Sequence, residues 1–493
     1  MDFGAVLFLL LVACISYMIV MYGKMLQKRG QLPPGPMPLP IIGNLLQVNT
    51  DNIAKSLIAM SKKYGPVFTI HLGSKPNLVL CGYETVKEAL IDKAEQFGGR
   101  GRFPVFLNFT KGNEMAFSNG EKWKERRIFV VQTMRSFGVG NRSTEEQIQE
   151  EAHFLIRELR KTSQLPFDPT LIFSCCVANV ICSILFGSRF DYEDKTLQTI
   201  VSTTNENFHL ISSFWGTMYN IYPEIMDYLP GPHKKIFANH EALRVILQDV
   251  VKAHQETLDP DSPRDFIDAF LIKMEKEKNN PTTHYFTESV IMTMHTLINA
   301  GTDTIITTLR YGFLILMKYP EMAEKMQEEI NQVIGQDRPP AMEDRKKMPY
   351  TDAVIQEIQR FASIVPLALP HLVMQDTQLN GYKIPKDTTV IPVLASVHHD
   401  PAHYEKPEVF DPRNFLKENG CIKKNDALMI FGAGKRICPG ENLARMEIFL
   451  FFTILLQNFT FQPLGSREDI NLTPTGGNLG NLPQPYQCCA IPR

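Results

Sequence analysis

The chain lacks the features that would mark a nucleic-acid binder, a disulfide scaffold or a polytopic membrane protein. Its 51 Lys and Arg residues are offset by 53 Asp and Glu, a net charge of -2. No global positive field is present to gather a polyanion, and no nucleic-acid partner is expected. The nine cysteines are odd in number, irregularly spaced and without a CxxC pair. This speaks against a disulfide framework, a structural zinc site and a thioredoxin-like redox motif. Mean hydropathy is only -0.13, too low for a bundle of membrane spans. No Gly-x-Gly-x-x-Gly dinucleotide fingerprint follows a strand-like stretch. With 44% hydrophobic and 21% charged residues, what remains is the composition of an ordinary folded protein.

A length of 493 residues sets a starting expectation of about three domains. Beyond residue 44, however, no repeat, low-complexity run or second Pro/Gly-rich linker appears, and residues 44–493 read as one large catalytic unit. Before it, Phe3 to Tyr22 forms twenty residues without a charge, about 30 Å of helix and one hydrocarbon thickness. Residues 1–22 therefore read as a transmembrane anchor. Lys24, Lys28 and Arg29 follow it, so the positive-inside rule places the body in the cytosol as a single-pass protein, with the endoplasmic reticulum as the expected membrane. A cleaved signal peptide is the alternative, disfavoured by the missing basic n-region and A-x-A site. Residues 23–43 are basic and proline-rich, with Pro33, Pro34, Pro36, Pro38 and Pro40. Such a segment is expected to be a stiff spacer between bilayer and body.

Strand-like stretches fall early, at 67–72 and 77–81, separated by Gly73 to Pro76 as in a hairpin. Helical periodicity covers 146–160, 241–258, 287–318, 321–335, 351–361 and 441–457. The fold class is therefore mostly α with a small β part. The 287–318 segment would be about 48 Å long, with Thr287 as its expected cap and Glu288 as its first-turn acid. At its middle, Ala300-Gly301-Thr302-Asp303-Thr304 combines small residues, which let something bulky approach the backbone, with an acid and a hydroxyl. A helix kink or an exposed polar face is the blander reading of that string.

The most specific string is Phe431-Gly432-Ala433-Gly434-Lys435-Arg436-Ile437-Cys438-Pro439-Gly440, which fits F-x-x-G-x-R-x-C-x-G at every fixed position. Chance would produce it in about one chain in ten thousand of this length. A cysteine just before a helix N-terminus has its thiolate favoured by the helix dipole and free amides, which suits a metal ligand. Gly434 and Gly440 allow a tight turn, Phe431 can cover the sulfur, and Arg436 can neutralise an acidic group.

This string is the signature of the cytochrome P-450 family, and the chain resembles that family from the anchor to the C-terminus, most closely its microsomal family-2 members from vertebrates. The resemblance implies a single large haem domain in the P-450 fold, with haem b as cofactor and Cys438 as the axial ligand of its iron. Glu357 and Arg360 match the family's E-x-x-R, at i and i+3 on one helix face where they can pair. The family's third arginine normally follows as P-x-R-F. Here Pro412-Arg413-Asn414-Phe415 leaves open whether Arg413 or Asn414 completes that network. Trp123 and Arg127 match W-x-x-x-R, and with Arg100, His371 and Arg436 they would meet the haem propionates. Phe431, Gly434, Gly440 and Ala300 would line the cofactor, and Asp303 and Thr304 would deliver protons on its distal side. Ile305 stands where many relatives carry a second Thr.

The activity so implied is monooxygenation: one atom of O2 enters a lipophilic substrate, a fatty acid, steroid or xenobiotic. Electrons would come from NADPH through NADPH–cytochrome reductase, with cytochrome b5 as an auxiliary donor. Lys122, Lys124, Arg126, Arg135, Lys435 and Arg445 flank the haem contacts and form a candidate docking face for it, with a solvated charged surface as the alternative. By resemblance the substrate pocket would be lined by residues 103–117, 208–214, 298–304 and 365–369 and by Leu479. Residues 208–228, rich in aromatics, would dip into the bilayer or else form a buried helical turn. Two other readings stay open: a haem or lipid binder without turnover, and an isomerase or peroxygenase independent of reductase.

Overall fold

The computed structural model describes residues 30–493 apart from 31, 51, 139–141 and 477–478, and before residue 30 only scattered positions among residues 3–23. Those scattered positions are helical and mostly exposed. The rest of the anchor, with Lys24, Lys28 and Arg29, lies outside the described residues.

The early strand pattern forms a hairpin of β1 (Val67–Leu72) and β2 (Lys75–Leu80), with Leu72 opposite Lys75, so the turn is two residues long. Three segments distant in sequence complete a five-stranded sheet in the order β1-β2-β7-β4-β3, where β3 is Gly99–Arg100, β4 is His371–Leu372 and β7 is Thr389–Pro392. Among the described residues, β5 (Thr377–Leu379) with β6 (Tyr382–Ile384), and β8 (Phe459–Pro463) with β9 (Cys488–Pro492), form two further two-stranded antiparallel sheets. Sequence periodicity could not have found β3 and β4, because two residues are too short to show alternation.

The proline-rich segment is not a free spacer. Pro33, Gly35, Pro36 and Pro38 are buried, and Pro34 O accepts the Thr69 amide at 2.9 Å. A Cβ on Gly35 would stand 1.9 Å from Thr69 O, so only glycine allows this close approach. Proline suits the position because a chain without amide donors can lie along β1 and leave none of them unpaired.

The rest is helical. Six helices place the site: α1 (Pro104–Thr110), α2 (Gly120–Ser136), α3 (Pro169–Phe186), α4 (Thr287–Lys318), α5 (Pro349–Ala362) and α6 (Glu441–Asn458). The bounds of α4 are those the sequence predicts, but its cap is not Thr287. Phe286 takes the cap position, and Ser289 Oγ accepts the Phe286 amide at 2.9 Å. α3 is long and apolar enough to cross a membrane, yet most of it is buried inside the body, where α3, α4 and α6 build the main core. Gly312 of α4 lets α6 approach, since a Cβ there would meet the Phe452 ring at 2.1 Å.

Glu357 and Arg360 of α5 form a fully buried bidentate ion pair, Nε to Oε2 and Nη2 to Oε1 both at 2.7 Å. The remaining guanidinium hydrogens reach His398 O, Pro407 O and Val409 O at 2.8–3.2 Å. One helix is thus tied to the irregular 398–411 segment that leads to the Cys438 loop.

Candidate active site

The loop 431–440 is held at both ends. Cys438 donates its amide to Phe431 O at 2.9 Å, and Ala444 donates to Gly440 O at 2.9 Å as α6 begins. Gly434 has φ +66°, and a Cβ there would stand 1.7 Å from Leu90 O, so glycine is required by both backbone and space. Gly440, at φ -90°, is not so constrained, because an added Cβ would only touch Cys438 Sγ at 3.9 Å. The Phe431 ring carries the Arg445 guanidinium at 4.9 Å.

Cys438 is half-buried, three residues before the start of α6. Burial pushes its thiol up, and Glu441 adds to that, while the Gly440 amide and the Arg127 cation pull it down. The helix N-terminus alone therefore does not yield the thiolate expected from the sequence. A cation bound to sulfur is needed to hold it.

β3 and β4 pair Arg100 directly with His371. Arg100 Nε donates to Ala116 O and Nη1 to Leu369 O, both at 3.0 Å, while His371 Nδ1 lies 2.8 Å from Phe97 O. Arg436 donates from Nε to Gly98 O and from Nη2 to Ser118 O, both at 2.9 Å, and to Asn119 Oδ1 at 2.8 Å. Its guanidinium stacks on Trp123, 3.9 Å from the ring centroid, a cation–π contact strengthened by burial. Arg127 stands apart. It donates to Ile437 O at 2.6 Å, beside Cys438, rather than joining Trp123 and Arg436.

Two residues of this cluster are missing from the sequence reading. Asn119 precedes α2 in the cap position but makes no cap hydrogen bond. Instead it accepts the Arg100 amide at 2.7 Å and returns its own amide to Arg100 O at 2.9 Å. Glu114 is fully buried among the arginines. The available signal was its isolation as the only acid between Glu95 and Glu121.

The cluster carries more cation than anion. Burial draws Arg100 and Arg126 down to about 10, and draws Arg436 down to about 9, with Arg100 and Arg127 repelling it further. Arg436 Nη1 is buried without a hydrogen-bond partner. A buried donor left unmatched costs about 1–3 kcal/mol, so an anionic group belongs there.

On α4, Ala300 is exposed and Gly301 and Thr304 are half-buried, between buried Ile298 and Ile305. The turn is therefore open on the side of Ala300 and Thr304, while Gly301 faces the Ile181 side chain and Thr302 is buried. Thr304 Oγ1 donates to Ala300 O at 2.8 Å. Asp303 is buried, and burial raises its carboxyl well above the usual carboxylate range, which favours the acid form. α4 continues as a helix through this turn.

Among the pocket positions, the Phe117 ring stacks on Phe103 and Phe106 at 5.5 and 4.9 Å, and those two rings meet at a tilt, 5.5 Å apart. Phe103, Phe106 and Leu479 pack with Ile211, Trp215 and Tyr222 in one apolar cluster. Within 208–228, Phe214 and Tyr228 are exposed whereas Tyr219 is buried, so this stretch is neither wholly buried nor wholly free. Of the six cations proposed for docking, Arg126 is only 1% exposed and donates to His284 O, which removes it from any surface. Arg135 is exposed, and Lys124 is exposed beside Glu121.

The sequence model of cytochrome P450 matches residues 33–490. Cytochrome P450 2F2 of Mus musculus is 55% identical over 461 residues, 94% of either chain. Cytochrome P450 2F1 of Homo sapiens is 51% identical over the whole of both, and cytochrome P450 2C23 of Rattus norvegicus is 49% identical over 98% of this chain and 97% of its own.

Proposed function

Since the chain belongs to the cytochrome P450 family, whose cofactor is haem b and whose members are oxygen-incorporating oxidoreductases, we propose that it is a membrane-anchored haem-thiolate monooxygenase of the endoplasmic reticulum. Its substrates are lipophilic small molecules, hydroxylated or epoxidised with O2 and with NADPH electrons delivered by NADPH–cytochrome reductase. The observation that carries this reading is the surplus of buried arginine, with Arg436 Nη1 unmatched, two residues from a half-buried cysteine. A flat dianion with a central metal cation answers both needs at once, and the residues fit haem.

Cys438 would hold the iron, and Arg100, Trp123, Arg436 and His371 would hold the propionate edge, with Arg127 guarding the cysteine side. Phe431, Gly434, Gly440 and Ala300 shape the walls. Bound haem with a thiolate ligand supplies O2 activation and O–O cleavage. The chain supplies protons and exclusion of water. Asp303, kept protonated by burial, is the acid, and Thr304 Oγ1 can leave Ala300 O to pass a proton from Asp303 into the open space beside it. The aromatic cluster of Phe103, Phe106 and Phe117 orients an apolar substrate without prescribing its class.

Residues 1–22 anchor the body, which starts near the proline segment docked on β1. Met37, Leu39 and Ile41 are exposed on one segment and Phe214, Ile225 and Tyr228 on another. Tyr222 joins them by donating to Ile41 O at 3.1 Å. The two segments together form an apolar face that rests in the bilayer, where lipophilic substrates concentrate.

The test is the carbon monoxide difference spectrum of reduced protein. The far-shifted Soret band of thiolate ligation is expected, together with its loss in Cys438→Ser. Folded, haem-loaded protein without that band refutes the reading. NADPH-driven oxygenation that requires reductase separates it from a peroxygenase, an isomerase or a silent binder.

A further inference from the structure

Glu114 lies at the centre of the arginine cluster yet pairs directly with none of its members. Its Oε1 accepts the Phe117 amide at 2.8 Å and its Oε2 accepts the Ala116 amide. Its backbone oxygen accepts from Arg126 Nη1 at 3.4 Å. Two amides on one carboxylate bend the chain into a turn over 114–118, a concave nest of the kind that binds anions, here closed on its own side chain.

That turn has a definite output. Ala116 O, on the residue whose amide is bound, receives Arg100 Nε at 3.0 Å. Ser118, tied back to Met115 O at 3.2 Å, presents its own carbonyl to Arg436 Nη2 at 2.9 Å. The two guanidinium groups of the propionate edge are therefore both aimed by carbonyls that the Glu114 carboxylate sets in place. Charge adds a second effect. Burial, the largest effect, leaves the Glu114 carboxyl above its ordinary value, and the Phe117 and Ala116 amides, Arg126 and Arg100 oppose that rise and favour the anion. An anion in this position lowers the mutual repulsion of three buried cations.

We propose that Glu114 is a positioning residue for the cofactor: its carboxylate folds the 114–118 turn that aims Arg100 and Arg436, and its charge offsets their excess until the propionates arrive. The proposal rests on the haem-thiolate reading above. It carries a sign that a merely structural acid would not produce. A fixed negative charge near the porphyrin edge favours ferric over ferrous iron, so removing it raises the reduction potential.

The test compares haem-loaded wild type with Glu114→Gln, which keeps one acceptor oxygen but no charge, and Glu114→Ala, which loses both. Asp268→Asn, a buried acid on the helix Phe266–Glu277, is the destabilised control. The readouts are the rate of haem loss to an apoglobin acceptor and the ferric/ferrous midpoint from redox titration. Glu114→Gln should shift the midpoint upward and lose haem a few-fold faster, and Glu114→Ala should lose it about tenfold faster, as expected for two missing hydrogen bonds. An unchanged midpoint and haem loss in Glu114→Gln overturn the proposal, even if Glu114→Ala does not fold. Equal shifts in Asp268→Asn also overturn it, by assigning the effect to general destabilisation. A wild type lacking the thiolate band with carbon monoxide instead brings down the reading beneath it, an outcome recognisable before any variant is made.

Discussion

Asn414 donates its side-chain amide to both carboxylate oxygens of Glu357, at 3.3 Å each. Arg413, its neighbour, turns outward and pairs with Asp411, Nη2 to Oδ2 at 2.6 Å. The position that completes the Glu357–Arg360 network is thus filled by a neutral amide, and the arginine one place earlier is a solvent residue. Glu357 already has Arg360 on both oxygens and the Asp411 amide at 2.8 Å.

The network makes unequal demands on its members. Glu357→Ala strands a guanidinium in the core and should cost about 3–5 kcal/mol in denaturant unfolding. Asn414→Ala removes neutral bonds and should cost about 1 kcal/mol. Arg413→Ala should leave the unfolding midpoint where it is. Equal effects of Arg413→Ala and Asn414→Ala would show that the neutral amide does not complete the network.

Gly434→Ala should abolish haem incorporation. The added methyl needs space that Leu90 O occupies 1.7 Å away, and a φ of +66° disfavours any side chain, at about 1–3 kcal/mol before the clash is counted. Gly440→Ala, at an unconstrained φ, should incorporate haem far better. Absorbance at the Soret band per mole of purified protein checks both, and similar loading of the two variants would count against the tight turn under the loop.

Of the six helices that place the site, α4, α5 and α6 were legible as periodic runs, 287–318 to the residue, whereas α1, α2 and α3 were not read from periodicity. Cys438 was legible because its motif is rare. What escaped was set by contacts between segments distant in sequence. β3 and β4 are two residues each, and their pairing of Arg100 with His371 joins segments 271 positions apart. Asn119, in the cap position of α2, serves Arg100 and Arg436 rather than the helix. Arg126 looked like one more surface cation in Trp123-Lys124-Glu125-Arg126-Arg127. Which face of α2 turned inward depended on Glu114 and His284, which no local pattern joins to it.

The docking face should consist of the exposed cations alone. Lys124→Glu combined with Arg135→Glu should raise the apparent KM for the reductase several-fold while leaving the turnover at saturating reductase near wild type, and added salt should narrow the difference. Steady-state kinetics against reductase concentration decide it. An unchanged KM in the double reversal removes these residues from the interface.

The pair His254–Asp265 gives the body a pH-dependent element away from the site. His254 Nε2 lies 2.8 Å from Asp265 Oδ2, and that hydrogen bond raises its pKa above the ordinary 6.5 against the effect of burial. A group raised on folding stabilises most when it is protonated in both states. Its contribution is therefore full below about pH 6.5 and fades as pH rises through the folded value. Arg264, which pairs with Asp268 at 2.6 Å, stays charged throughout and adds no slope of its own. Melting temperatures of wild type and His254→Gln should converge above that window and separate below it. Parallel profiles would mean that the histidine makes no difference between the folded and unfolded chain.

Asp303 and Thr304 are adjacent on α4 but unlike in environment. The hydroxyl borders open space and donates to Ala300 O, whereas the carboxyl is buried and held in its acid form by burial. If the acid feeds protons through the alcohol, removing either should impair delivery in different ways. Thr304→Ala leaves the acid in place but breaks the path, so NADPH oxidation should continue while electrons leave as hydrogen peroxide rather than product. Asp303→Asn removes the proton source and should slow product formation by about a hundredfold, within the range of general acid catalysis. It should also erase an alkaline limb from the rate profile, because wild type loses its donor only as pH rises through a carboxyl value above the ordinary range. Product, peroxide and NADPH measured together across pH distinguish these outcomes. An Asp303→Asn enzyme that retains both the wild-type rate and the alkaline limb would show that the proton reaches Thr304 by another route.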